Sequence, residues 1–377
     1  MKIAVLVSGG VDSAVVVDLL YKQGHELHLY YIRIGMDNGE GDCSAEEDLE
    51  MCHLIARKYG LPLQEVSLHE EYWEYVMAYT LATVKDGLTP HPDMMCNKMI
   101  KFGFFEERWG KDYDAVATGH YASIKNIDGK RFLAAAADPV KDQTDFLAQI
   151  SYRQLSHLMF PLGDIPKSDV RRMAAEAGLP NAVRKDSQGI CFLGKINYSD
   201  FIRRHLGERE GAIVEIETGK KIGTHKGYWF HTIGQRKGLG LSGGPWYVVR
   251  KNVRDNVVYV SKGYDTPRQY GHVIPIEEMN WITINPFESE NQRVVEYHDD
   301  KCLIAFKNRH TPHFIQGKMC RDSSGGYVVE AAEDVQGIAP GQFVVIYTSD
   351  CSLCLGSGMI TLPRMPYKRH RHNKARQ

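Results

Sequence analysis

Long apolar runs are missing from this 377-residue chain. No stretch approaches the roughly 20 consecutive apolar residues that a membrane-spanning helix requires, so a water-soluble protein is the expectation. A secretory signal is missing too: Met1, Lys2, Ile3, Ala4, Val5, Leu6 and Val7 run straight into a strand-like segment with no small-residue cleavage site, which points to a cytoplasmic location. Charge of one sign is scarce, since 46 Lys and Arg stand against 47 Asp and Glu for a net charge of -1. No global basic field therefore advertises a nucleic acid, and local patches must hold one if it binds. Cysteine is too sparse for a disulfide scaffold: the 8 thiols are scattered, and a pair that oxidises in a reducing compartment is catalytic more often than structural. Internal repeats are absent.

What is present is an ordinary globular composition, 43% hydrophobic and 25% charged, in a chain too long for one core. Domains divide beyond about 250–300 residues, so two or three are expected. From residue 2 to about 119, short β-rich runs alternate with longer helical patterns. Strands are expected at 2–7, 26–34, 63–68 and 114–118, and helices at 11–23, 45–59 and 70–85, the first two closed by Gly24 and Gly60. That order is the mark of a parallel sheet with helices on both faces, whose ligands sit beyond the carboxyl ends of the strands. From Tyr152 to Arg204 the pattern turns helical, with a helix over 167–177 stopped by Gly178-Leu179-Pro180. Beyond Gly211 come short β-type runs at 212–216, 246–250, 257–261, 302–306, 327–331 and 342–347. The expected organisation is an α/β domain with a helical extension over 1–205, a small β-rich domain over 206–273, a C-terminal β-barrel over 274–363, and a basic, disordered tail over 364–377.

The first expected strand ends in Ser8-Gly9-Gly10-Val11-Asp12-Ser13 and gives way to a helix. Gly9 and Gly10 permit a tight turn and close backbone approach, Ser8 and Ser13 add hydroxyl donors, and the helix dipole favours negative charge. Phosphate is the natural guest, against the alternative of an ordinary strand-to-helix turn with serine capping. The loop lacks the lysine of Gly-x-x-x-x-Gly-Lys-Ser/Thr. It resembles instead the PP-loop of ATP pyrophosphatases, which implies an adenine nucleotide α-hydrolase-like fold and activation by transfer of AMP. Asp12 then suits placement of Mg²⁺, with helix capping an equally good explanation.

Two cysteines stand in chemically suggestive settings. Cys96 follows Thr89-Pro90-His91-Pro92-Asp93-Met94-Met95, a proline-stiffened loop expected to lead into a helix with Lys98 and Lys101 in its first turns. A thiol at a helix N-terminus near lysines has a lowered pKa and is more nucleophilic, and Asp93 is placed to act as acid or base. Cys191 lies in Asp186-Ser187-Gln188-Gly189-Ile190-Cys191-Phe192-Leu193-Gly194, where a buried structural thiol is the other reading. Cys351-Ser352-Leu353-Cys354 is a lone CxxC, a weak zinc signal read as two ordinary thiols at a strand end.

Taken together, the PP-loop, the run around Cys96, Thr118-Gly119-His120-Tyr121-Ala122, Lys141-Asp142-Gln143, the run around Cys191, and His231-Thr232-Ile233-Gly234-Gln235-Arg236-Lys237-Gly238-Leu239-Gly240 resemble the tRNA-specific 2-thiouridylases. The motifs occur in the same order from residue 2 to about 362. The resemblance implies ATP-dependent 2-thiolation of the wobble uridine in tRNA, for anticodons of the Lys, Glu and Gln type. It implies ATP contacts at Leu6, Val7, Ser8, Gly9, Gly10, Val11, Asp12, Ser13, Ile32 and Gly119, with Mg²⁺ as companion and no resident metal. His91, Pro92 and Asp93 would surround the flipped target base, and His120, Lys141, Asp142, Gln143, Arg309, His310 and Gln342 would contact tRNA. Cys191 would carry a persulfide loaded by a sulfur-relay protein or cysteine desulfurase, and Cys96 would act as the partner nucleophile in a transient Cys96–Cys191 disulfide. Two positions depart from the family pattern: His91 replaces a common Asn, and Ile32 a common Met. The competing readings are a PP-loop ligase or amidotransferase acting on a metabolite, and a tRNA-binding module with a degenerate ATP site.

Overall fold

The computed structural model describes residues 1–34, 43–185, 198–263, 267, 270–288, 291, 293–298, 300–322 and 325–361. Seven strands come from the first half: β1 (Lys2–Leu6), β2 (Glu26–Arg33), β3 (Leu63–Ser67), β4 (Ala115–Ala117), β5 (Ser123–Ile127), β6 (Lys130–Ala134) and β7 (Leu158–Met159). Five of them form the expected parallel sheet in the order β3-β2-β1-β4-β7. Ile3, Ala4 and Val5 of β1 are fully buried, as a central strand covered on both faces requires. Helix α1 (Val11–Lys22) sets Val15, Val16, Val17 and Leu20 into the core of one face, and α2 (Cys43–Tyr59) adds Leu49, Cys52 and Ile55 at helical spacing. The helical stretches at 69–85 and 92–108 cover the other face with Tyr72, Val76, Ile100, Phe102 and Phe105.

Because the chain runs from β1 outward to β2 and β3 and then returns to the other side as β4, the sheet has a switch point between β1 and β4. The loops that leave the carboxyl ends of those two strands diverge there and open a crevice, the place where α/β sheets take ligands. The segment from residue 152, expected to be helical throughout, supplies the short edge strand β7 as well as the helix Lys167–Glu176.

The second half is β-rich as expected. Strands β8 (Gly211–Glu215), β9 (Lys221–His225), β10 (Trp246–Asn252) and β11 (Val257–Lys262) make a small sheet around Ile213, Val248, Val258 and Val260. Then come β12 (Tyr270–Trp281), β13 (Glu296–His298), β14 (Lys301–Lys307), β15 (Ile315–Arg321), β16 (Tyr327–Gln336), β17 (Phe343–Thr348) and β18 (Leu353–Ile360). The order β12-β16-β15-β14-β17-β18 closes on itself through a β12–β18 pairing, giving a six-stranded barrel. Closure removes the edge strands that an open sheet would expose.

A hairpin from the first half joins this barrel. β6 pairs with β18 through Ala134↔Leu353 and Leu133↔Cys354, so β5 and β6 extend the C-terminal sheet although they lie within the N-terminal half of the chain. The join is sealed by a charge pair, Lys307 Nζ to Asp142 Oδ2 at 2.8 Å, with both side chains almost wholly excluded from solvent. The tail from 362 lies outside the described residues, and among the described residues no helix is long and apolar enough to cross a membrane.

Candidate nucleotide and sulfur-transfer site

The loop between β1 and α1 is braced from several directions. Gly9 has φ +72 and lies so close to α2 that a Cβ there would sit 2.6 Å from the Asp48 carbonyl oxygen, so glycine is required on both counts. The Gly9 carbonyl accepts from Asn181 Nδ2 at 2.9 Å and Arg184 Nη1 at 3.2 Å, and Arg184 is anchored by Asp48 at 2.6 Å. Inside the turn, the Ser13 hydroxyl donates to the Gly10 carbonyl at 3.1 Å and accepts from the Ser8 N–H at 3.2 Å. Gly10 occupies the cap position of α1 without any side-chain cap, so the N–H groups of the first turn remain directed at the crevice.

Gly119, on the loop after β4, closes the cradle: a Cβ there would lie 3.0 Å from the Ser13 nitrogen. Leu6 and Ile32, at the ends of β1 and β2, pack against the same core cluster. Of the expected nucleotide contacts, the loop after β1 and Gly119 meet at the switch point, and Ile32 stands one strand away on β2. Asp12 does not cap the helix. Its Oδ1 accepts from the Tyr121 hydroxyl at 2.8 Å and from Lys167 Nζ at 2.6 Å. Among the described residues no group of three or more metal-ligating side chains occurs. A single carboxylate beside phosphate oxygens is nevertheless the donor set that Mg²⁺ favours.

Cys96 departs from its expected setting. The helix starts earlier, at Pro92–Met95, with His91 as its cap, the His91 Nδ1 accepting from the Met94 N–H at 3.4 Å. Cys96 is one turn inside and fully buried, not at the helix N-terminus itself. From Cys96 to Phe104 the backbone is π-helical, a rare geometry that recurs at functional sites. Gln154 stabilises it by donating from Nε2 to the carbonyls of Lys98 and Phe102, both at 2.8 Å. Lys98 is turned toward Gln149 Oε1 at 3.0 Å, and burial lowers its pKa. Cys191 lies outside the described residues.

His120 links the loop after β4 to this helix. It follows Gly119, bonds the Thr118 hydroxyl through Nδ1 at 2.8 Å, and meets the Phe102 ring edge-on at 5.9 Å. Burial, then the Lys101 charge, pushes its pKa well below the ordinary histidine value, so it is neutral at pH 7. His91 packs edge-on to Phe146 at 5.6 Å and Phe343 at 6.5 Å, and burial lowers its pKa against the pull of Asp93 and Asp145. The barrel frames this region: Gly341 has φ +90, and a Cβ on it would lie 2.7 Å from Leu88 Cβ.

The expected tRNA contacts divide into two kinds. Arg309 and His310 are exposed, with the Arg309 guanidinium donating to the Gly337 carbonyl at 3.2 Å and also lying against Gly234 of the basic loop at 231–240. His310 bonds Asp145 at 2.9 Å, and that bond raises its pKa. Lys141 and Gln143 are half-buried, and Gln143 Oε1 accepts from the Tyr121 N–H at 3.0 Å. Gln342 is half-buried, with its Oε1 lacking a hydrogen-bond partner. Asp142 turns its carboxylate inward, to Lys307, the Thr144 hydroxyl at 2.9 Å and the Ala136 N–H at 3.1 Å, and its side chain is almost wholly buried. Of the CxxC pair, Cys354 is buried on β18 and Cys351 is half-buried in the turn before it, where its sulfur accepts from Gln316 Nε2 at 3.7 Å.

Family models match the chain in three pieces: a tRNA methyl transferase HUP domain over residues 1–195, a tRNA methyl transferase PRC-barrel domain over 199–262, and an aminomethyltransferase beta-barrel domain over 272–360. The tRNA-specific 2-thiouridylase MnmA 1 of Bacteroides thetaiotaomicron is 59% identical over 362 residues, spanning 96% of this chain and 100% of that protein. The chain belongs to the tRNA-specific 2-thiouridylase family. A further 2-thiouridylase, MnmA of Porphyromonas gingivalis, is 58% identical over 97% of this chain and 100% of its own length. Among solved structures, the U34-tRNA thiolase NcsA of Methanococcus maripaludis overlays with a TM-score of 0.27 at 17% identity, covering 48% of this chain and 57% of that one, too loosely to carry an argument.

Within this 2-thiouridylase the motifs left several residues of the site unnamed: Lys167, Tyr121, Asn181, Arg184 and Gln154. Tyr121 stands inside the Thr118–Ala122 motif and could have been singled out. Lys167, Asn181, Arg184 and Gln154 sit in sequences that read as ordinary helix starts, helix ends and loops, and only tertiary contact reveals them.

Proposed function

We propose that the chain performs its family's reaction, ATP-dependent 2-thiolation of the wobble uridine (position 34) of tRNA, with the residues of this site in the following roles. The observation that carries the reading is the short path at 118–121: Gly119 abuts the N-terminus of α1, and its neighbour His120 touches the helix that bears Cys96. The Ser8–Ser13 loop and the helix that bears Cys96 therefore lie side by side.

ATP sits with its phosphates on the backbone N–H groups of residues 8–13. The uracil is flipped from the stack beside His91, Pro92 and Asp93, because carbon 2 of a stacked base is out of reach of both ATP and a protein thiol. Its O2 bonds to the α-phosphorus, pyrophosphate leaves, and the N3 proton passes to Asp93. Asp12 would hold Mg²⁺, which would supply neutralising charge to the phosphates. The terminal sulfur of a Cys191 persulfide then bonds to carbon 2 and AMP departs. The Cys96 thiolate attacks the Cys191 sulfur, the persulfide S–S bond breaks with its electron pair left on the transferred sulfur, and 2-thiouridine and a Cys96–Cys191 disulfide result. An external thiol reopens the disulfide, and a sulfur-relay protein or cysteine desulfurase reloads Cys191. Lys141, Gln143, Arg309, His310, Gln342 and the basic loop at 231–240 grip the RNA backbone.

Replacing Cys96→Ser or Cys191→Ser is expected to abolish thiolation while leaving tRNA binding largely intact. Mass spectrometry of tRNA from cells lacking the protein would show loss of wobble 2-thiouridine. Normal 2-thiouridine in those cells would sink the assignment.

A further inference from the structure

The nucleotide loop has no lysine of its own, yet the fold brings one to it. Lys167 opens the helix Lys167–Glu176, 155 positions from Asp12, and its Nζ lies 2.6 Å from Asp12 Oδ1. The Tyr121 hydroxyl shares that oxygen, and the ammonium stands 5.6 Å from the Tyr121 ring centroid. The Lys167 side chain is only 12% exposed. Its backbone is pinned as well: the Lys167 N–H donates to Asp138 Oδ2 at 3.0 Å, while Asp138 Oδ1 accepts from the N–H groups of Val140 and Lys141 at 3.0 and 3.3 Å. Two other cations near the site have different duties, Arg184 to Asp48 and the Gly9 carbonyl, and Lys98 to Gln149.

We propose that Lys167 is the cation that holds the β- and γ-phosphates of ATP and stabilises pyrophosphate as it leaves. The inference rests on the loop being an ATP site. Asp12 places a negative charge in the first turn of α1, where a polyphosphate has to approach, and an adjacent ammonium offsets that repulsion. An ammonium has three donors and no acceptor, so one group can bridge Asp12 and a phosphate oxygen. As the uracil O2 bonds to the α-phosphorus, the bond to the bridging oxygen breaks and its electron pair departs on pyrophosphate. Charge grows on that side of the reaction, and Lys167 meets it already positioned, with no proton transferred. Tertiary contact thus supplies the positive charge that a Gly-Lys loop carries in its own sequence.

The test is calorimetric binding of AMP, ATP and inorganic pyrophosphate to the wild type, Lys167→Met and Lys167→Arg, together with tRNA-dependent pyrophosphate release. Lys167→Met should bind AMP as the wild type does, lose about tenfold or more in affinity for ATP and pyrophosphate, and release pyrophosphate about 100-fold more slowly. Lys167→Arg should recover part of each loss. Equal pyrophosphate binding by Lys167→Met and the wild type overturns the assignment, and so does an equal loss of AMP, which marks structural damage. A double variant Asp12→Asn/Lys167→Met that regains full ATP affinity also overturns it, since the lysine would then serve only Asp12. A wild type that binds neither ATP nor pyrophosphate overturns the ATP site itself, and the lysine assignment with it.

Discussion

The Asp142–Lys307 pair separates a structural role from an RNA-binding one within a single tripeptide. Asp142→Asn removes the carboxylate that pairs with an ammonium that is 1% exposed, leaving Lys307 beside the Phe314 and Tyr347 rings at 4.2 and 5.7 Å. Stranding one member of a buried pair costs about 3–5 kcal/mol, whereas replacing both members by apolar groups is often near neutral. The asymmetry arises because the remaining charge has lost both water and partner. Asp142→Asn should therefore lower the urea midpoint sharply, and Asp142→Asn/Lys307→Met should recover most of that loss. Under conditions where each variant is folded, tRNA affinity by filter binding should be unchanged in Asp142→Asn and reduced in Lys141→Ala. A loss below about 1 kcal/mol for the single variant, or a double variant no more stable than the single, would refute the reasoning.

Further outcomes follow from other parts of the structure. Cys96 is fully buried while Cys351 is half-buried, so brief alkylation followed by peptide mass spectrometry should label Cys351 first; equal labelling rates would contradict the buried position. His231 is held down to about 4 by burial, then by His225 and Lys251. It is neutral in the fold but protonates near 6.5 when unfolded, so its contribution is complete above about pH 6.5 and is lost as pH falls toward 4, by at most about 3 kcal/mol. His231→Gln should flatten the slope of urea stability between pH 7 and 5, and an unchanged slope would be the contrary result. Gly341→Ala forces a Cβ to within 3.0 Å of both backbone N and O of Thr89 at a φ of +90, so it should cost about 1–3 kcal/mol in a thermal melt and reduce thiolation while ATP still binds. Wild-type stability and activity in that variant would show that the barrel does not set the residue 88–91 segment.

How much was legible in the sequence depended on distance along the chain. The strand, the Ser8–Ser13 turn and α1 are contiguous, and glycine geometry and hydroxyl bonding act within a few residues, so that turn could be read directly. The alternating pattern likewise carried the parallel sheet, and the short β runs carried the β-rich half. The helix around Cys96 was expected, but its earlier start at Pro92 and its π-helical geometry, braced by Gln154 52 positions from Phe102, were not. The hairpin of β5 and β6 could be expected to form locally, yet nothing local says that β6 will pair with β18. Asp142 reads as a surface acid until Lys307 arrives from β14, 165 positions away.

The sequence by itself determined the fold class and the tight Ser8–Ser13 turn, because each depends on residue type and short-range geometry, and it nominated Cys96 and Cys191 through resemblance to a family. Tertiary structure alone decided which charges are spent inside the molecule and which face a ligand. Long-range pairing selects one partner among many chemically equivalent ones through packing and desolvation, and neither is written in the spacing of residues. That is why Asp142 became an internal clamp, and why the lysine beside the nucleotide loop had to be found in space.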